Sequence, residues 1–103
     1  MEYRRFGNTI YLRLDPKEEI LEEIGKVAEK ENIRLAQVTG LGAINDFTAG
    51  VYNTVTKEYH SIQFQGAFEI VSLTGTVTRK DGDVYLHLHI AAGDEEGHVH
   101  GGH

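Results

Sequence analysis

No cysteine occurs in this chain, which rules out a disulfide framework and any thiolate metal site and makes a cytoplasmic location the default. Tryptophan is also absent, and proline and methionine occur once each. No apolar run approaches the ~20 residues that cross a bilayer, so no membrane partner is expected. Met1 to Phe6 likewise lacks the apolar core of a secretion signal. Basic residues are scarce in the second part of the chain: seven of ten precede position 35, leaving Lys57, Arg79 and Lys80. With a net charge of −6 there is no basic stripe to displace phosphate counterions, which argues against direct nucleic-acid binding. What is present is one domain's length, residues 1–103, with 40% hydrophobic and 25% charged residues, as in a folded globular domain.

Residues 3–14 read as a first strand, with Ile10, Leu12 and Leu14 alternating against Tyr11 and Arg13. A helix start follows. Asp15 is placed to cap, Pro16 suits the first helical position, and Glu18 stands where a capping-box carboxylate reaches back. Ile20, Leu21, Ile24, Val27 and Ala28 share one helical stripe, and Glu22 is spaced to pair with Lys26. The pattern predicts a helix of ~24 Å ending near Glu31-Asn32 and covering a sheet. Ile33 to Ile44 reads as a second strand running into Gly40-Leu41-Gly42, a bend or close backbone packing rather than a nucleotide fingerprint. Residues 46–53 and 57–65 read as a further strand pair joined around Asn53-Thr54, and His60 there reads as an ordinary surface or half-buried histidine rather than a ligand.

A hairpin closes the pattern. Phe68–Arg79 and Val84–Ala92 are strand-like on either side of the turn dipeptide Asp81-Gly82. Lys80 then lies opposite Asp83, Val77 opposite Leu86, Gly75 opposite Leu88, Leu73 opposite Ile90 and Val71 opposite Ala92, an apolar face for the helix. The other face pairs Thr78 with Tyr85, Thr76 with His87 and Thr74 with His89, and a one-residue slip would mix the two sets.

Five of the six histidines fall within His87–His103. His87 and His89, two apart on a strand, project from one side ~6.5–7 Å apart at the backbone. That spacing lets two imidazoles meet one ion, and a third ligand leaves a position open, as in reactive zinc sites. Gly93-Asp94-Glu95-Glu96-Gly97 can reverse the chain to bring His98, His100 or His103 alongside. Thr74 and Thr76, across the ladder, are placed to orient the imidazoles. Asp94, Glu95 and Glu96 read as solvated turn residues, and no serine–histidine–acid set or phosphate loop is recognisable.

The run Gly66-Ala67-Phe68-Glu69-Ile70-Val71-Ser72-Leu73-Thr74-Gly75, then Leu86-His87-Leu88-His89, then Gly93-Asp94 through Gly97 to Gly101-Gly102-His103, resembles the PPC (plant and prokaryote conserved) domain. Val38-Thr39-Gly40-Leu41-Gly42-Ala43 and the helix before it match the same order. The resemblance implies an α+β fold, an antiparallel sheet packed on one main helix, and a homotrimer. It places the family's histidines on His87, His89 and His103, which implies zinc or another divalent transition metal, with His98 and His100 outside the pattern. Plant members carry the domain beside AT-hook segments in nuclear DNA-binding proteins; prokaryotic members stand alone and are often called DNA-binding proteins. Here no AT-hook occurs, and Ala67 stands where the plant partner-binding segment has arginine. The family continues past the Gly-Gly-His with further strand sequence that this chain lacks.

Three functions compete on this reading: a trimeric metal-binding domain, a metal-dependent enzyme of unknown substrate, and a DNA-binding or regulatory oligomerisation module. The first leads. No catalytic residue is assigned. Glu69 is an acidic candidate base, but the uninterrupted register sets it on the opposite sheet face from His87 and His89.

Overall fold

The computed structural model describes all residues, Met1–His103. One helix packs against antiparallel, curled β-structure. The order is β1 (Glu2–Phe6), β2 (Thr9–Arg13), α1 (Ile20–Lys30), β3 (Ala36–Asn53), β4 (Glu58–Lys80), β5 (Asp83–Gly93) and β6 (Val99–Gly102). β1 and β2 form a separate hairpin, and β3-β4-β5-β6 form one antiparallel sheet in chain order.

The first strand of the sequence reading is thus two. Gly7, at φ 63°, reverses the chain between Phe6 and Thr9, which the alternation of Ile10, Leu12 and Leu14 had hidden. The helix is shorter than its spacing implies. Its cap is Glu19, whose carboxylate accepts from the Glu22 N–H at 2.7 Å, and its 11 residues span ~16 Å. The expected capping box forms one turn early. Glu18 accepts from the Asp15 N–H at 2.6 Å, but both carboxylates also hold the Met1 ammonium, and Lys17 sits at φ 76°. The i,i+4 pair of Glu22 and Lys26 gives way to Lys26 with Glu23 at 3.0 Å, because Glu23 lies against the molecule and takes the ammonium with it.

The second and third strands are one continuous strand, β3. It runs through the Gly40-Leu41-Gly42 bend and pairs along its length with β4. The Asn53 side chain accepts from Val55 N–H and Thr56 N–H to build the connecting turn. Asp81 and Gly82, both at positive φ, make the β4–β5 turn, and the register from Lys80↔Asp83 to Leu73↔Ile90 is the one the hydrophobic pattern specifies.

Beyond Leu73 the register changes. Ser72 pairs with Ala91 and Ile70 with Ala92, so Val71 is an extra residue in a β-bulge and lies 65% exposed rather than opposite Ala92. Ile70, Val77, Leu88 and Ala92 are buried on the interior face, with Val27 and Ala28 of the helix. Phe47, Ala49 and Ala92 form a buried cluster backed by Phe64 and Phe68. Arg79 ties helix to hairpin, donating to the carbonyls of Ala28, Ile33 and Gly82. Finally, Gly50 and His103 exchange two backbone hydrogen bonds of 2.9 and 2.8 Å, bringing the end of β6 against β3 and curling the sheet round on itself.

Candidate metal centre

On the outward face of β5, His87 and His89 stand two residues apart with Thr76 and Thr74 opposite them on β4. β6 lies on the other side of β5, pairing Gly102 with Ile90 and Gly101 with Ala91. One further step in that register sets His103 opposite His89, on the same face. The structure therefore brings His87, His89 and His103 together: one ligand atom from each lies within 4.8 Å of the others, and all three residues are exposed. The Nε2 atoms of His87 and His89 are 3.2 Å apart. Two nitrogens each 2.0–2.1 Å from a tetrahedral ion stand ~3.3 Å apart, so this pair needs almost no movement to bind. No carboxylate joins the cluster. Three imidazoles with a position open to solvent suit zinc, nickel or copper better than magnesium or calcium, which prefer oxygen.

The third imidazole is held by groups distant in sequence. The Tyr59 hydroxyl donates to the His103 carbonyl at 2.6 Å, and the two rings meet edge to face at 5.5 Å. His103 is solvent-exposed as a residue, yet its ring sits against His87, His89 and Tyr59. That partial burial first, and then the two neighbouring imidazoles, hold its pKa below the ordinary histidine value, which favours the neutral form a metal requires.

Thr74 and Thr76 lie across the ladder as the sequence implies, but neither hydroxyl hydrogen-bonds an imidazole. The other two C-terminal histidines go elsewhere. His100 pairs across to Ala92 on the interior face, where its ring packs on Phe64 at 5.0 Å and its Nε2 meets Asp94 Oδ2 at 3.0 Å. His98 stays exposed beside Asp94 and Glu96. Asp94 is not the solvated turn residue its acidic neighbours imply. Its carboxylate accepts from Glu96 N–H, His98 N–H and His100, and the His100 contact above all keeps its pKa below the usual carboxylate range.

Glu69 also needs correcting. The bulge at Val71 inverts the parity of the residues before it, so Glu69 pairs with Gly93 and falls on the histidine face. It remains four residues of strand from His89, ~13 Å along β5. Gly50 and Tyr59 were missed by sequence reasoning. They lie tens of residues from His103, and no local pattern marks a contact made only when the sheet curls.

Comparison with known proteins gives a consistent picture. A profile for the Plants and Prokaryotes Conserved (PCC) domain matches residues 1–103. No curated protein matches. Among solved structures, a "putative DNA binding protein" from Bacteroides thetaiotaomicron is similar at 30% identity and TM-score 0.94, over 99% of this chain and 71% of that one. A plant- and prokaryote-conserved (PPC) protein from Pyrococcus horikoshii is 38% identical at TM-score 0.85, over 89% of this chain and 64% of its own. A "metal-containing protein" from Archaeoglobus fulgidus is 34% identical at TM-score 0.83, over 89% and 65% respectively.

Proposed function

The chain belongs to the plants and prokaryotes conserved domain family, and from that premise we propose that it is a homotrimeric metal-binding protein whose ion sits on His87, His89 and His103. One observation carries the reading: three imidazole nitrogens from two strands converge within 4.8 Å on an open face. The Archaeoglobus relative described as a metal-containing protein supports it. The ion is zinc or another divalent transition metal, chosen by an all-nitrogen donor set.

His87 and His89 supply two ligands at a spacing fixed by the strand, and His103 supplies the third from the end of β6. An ion held this way supplies Lewis acidity to an oxygen ligand in its open position. Glu69 of β4 pairs with Gly93, ~13 Å of strand from His89 at the backbone, so the proposal is binding, with no reaction named. Metal analysis of tag-free protein after zinc or nickel reconstitution tests the site. One ion per chain is expected, with loss in His87→Ala; absence of stoichiometric metal, or unchanged binding in that variant, sinks the reading.

The trimeric part of the proposal is supported by apolar side chains left in solvent. Leu41 and Val99 are 88% and 60% exposed, an unfavourable arrangement for an isolated chain. Light scattering on the purified protein should give the mass of three chains; a monomer would overturn this part alone.

A further inference from the structure

The three imidazoles do not stand on equal supports. His87 and His89 lie mid-strand, with β4 on one side and β6 approaching on the other. His103 follows β6, and its backbone is held across the curl of the sheet, by Gly50 of β3 and the Tyr59 hydroxyl of β4. That contact is built for close approach. A Cβ on Gly102 would sit 2.5 Å from the Gly50 carbonyl oxygen, and a Cβ on Gly50 would sit 2.0 Å from the His60 carbonyl oxygen. Only glycine at 102 lets β6 come this close to Gly50, so that Gly50 and His103 can exchange hydrogen bonds at 2.8 and 2.9 Å. The requirement for glycine at 50 is set by its β4 neighbour His60. Tyr59 then closes the seam from β4, its hydroxyl on the His103 carbonyl and its ring edge against the imidazole.

We infer that Tyr59 and Gly50 form a clasp that positions His103 for the ion, so that metal binding and closure of β6 onto β3 are one coupled event. This rests on the metal reading above. The physical argument is that an open site of three ligands loses most of its advantage when the third is free to wander. Ordering His103 in advance removes that cost, and by reciprocity an ion on the three rings must hold the seam shut. Tyr59 touches no ion. It is a positioning residue.

The test compares Tyr59→Phe, which deletes the hydroxyl and keeps the ring, with wild type. Tyr52→Phe serves as a control, since Tyr52 faces Tyr59 across β3 and β4 without bonding His103. Zinc titration calorimetry should give a dissociation constant raised about tenfold in Tyr59→Phe and unchanged in Tyr52→Phe. Cobalt loading should show a weaker tetrahedral visible band in the first variant while the melting temperature of the metal-free protein stays unchanged, which separates lost positioning of His103 from general destabilisation. On the unaltered protein, zinc should slow hydrogen exchange of the Gly50 and His103 amides, which checks the coupling without any substitution. Equal zinc affinity and cobalt spectra in Tyr59→Phe and wild type, or amide exchange indifferent to zinc, overturns the clasp while leaving the metal site standing. Wild-type protein that binds no metal overturns the site reading, and the clasp with it.

Discussion

Asp94 does more for the arrangement of the C-terminal residues than its place in an acidic turn indicates. It holds the turn before β6 through two backbone N–H groups and His100, and so sets where the strand carrying His103 begins. A carboxyl held below its ordinary pKa adds stability that is fully present above the unfolded-state value of about 3.9 and is lost as pH falls through the lower folded-state value. Asp94→Asn removes that contribution. Urea titrations of metal-free protein should therefore find the variant less stable than wild type at pH 7, with a narrower gap at pH 3. A gap of the same size at both pH values would show that the carboxylate charge is not its source. At this scale the sequence reveals His87 and His89, because strand parity alone aims two residues the same way. His103 is one of three candidates by spacing, and in the sequence it is singled out only by the family resemblance. Its selection depends on β6 register: His100 falls on the interior face with Ala92, and His103 on the outward face with His89. Tyr59 carries no local mark at all.

Among the elements, the β4–β5 hairpin is the part most fully written in the sequence. A turn dipeptide fixes one end, and alternation of Val77, Leu86, Leu88 and Ile90 forbids a slip. The pattern fails at Val71 because a bulge answers to sheet curvature, and an apolar residue there looks like any other strand position. The two valines separate these cases. Val77→Ala, at a residue 2% exposed, should cost roughly 2 kcal/mol through the cavity it leaves. Val71→Thr should change stability by no more than about 0.5 kcal/mol. A large loss in Val71→Thr would restore the uninterrupted register. The helix start was misplaced for a different reason: Asp15, Pro16 and Glu18 do form a turn with mutual bonding, but their carboxylates are engaged by the Met1 ammonium before the helix begins. Arg79 is the counterpart at the helix end. Arg79→Met should lower stability by about 2 kcal/mol in denaturant titration, since it leaves the carbonyls of Ala28 and Ile33 without their charged donor.

For the molecule as a whole, the net charge argues against direct nucleic-acid contact, whatever the Bacteroides relative does. With −6 net charge the chain should not retard duplex DNA in a gel at low salt, where phosphate contacts are strongest. A shift at low salt that weakens steeply with added salt would reverse that expectation. The bulge at Val71 has a consequence at this scale too. One supernumerary residue decides which side of the sheet the stretch before it shows to solvent, so that Ile70 points inward and Glu69 outward. Many substitutions at position 71 should accordingly be survivable, and even deleting Val71 would keep Ile70 opposite Ala92 in a regular ladder. What would turn that stretch of the molecule inside out is a flattened bulge, with Val71 itself taking the rung opposite Ala92.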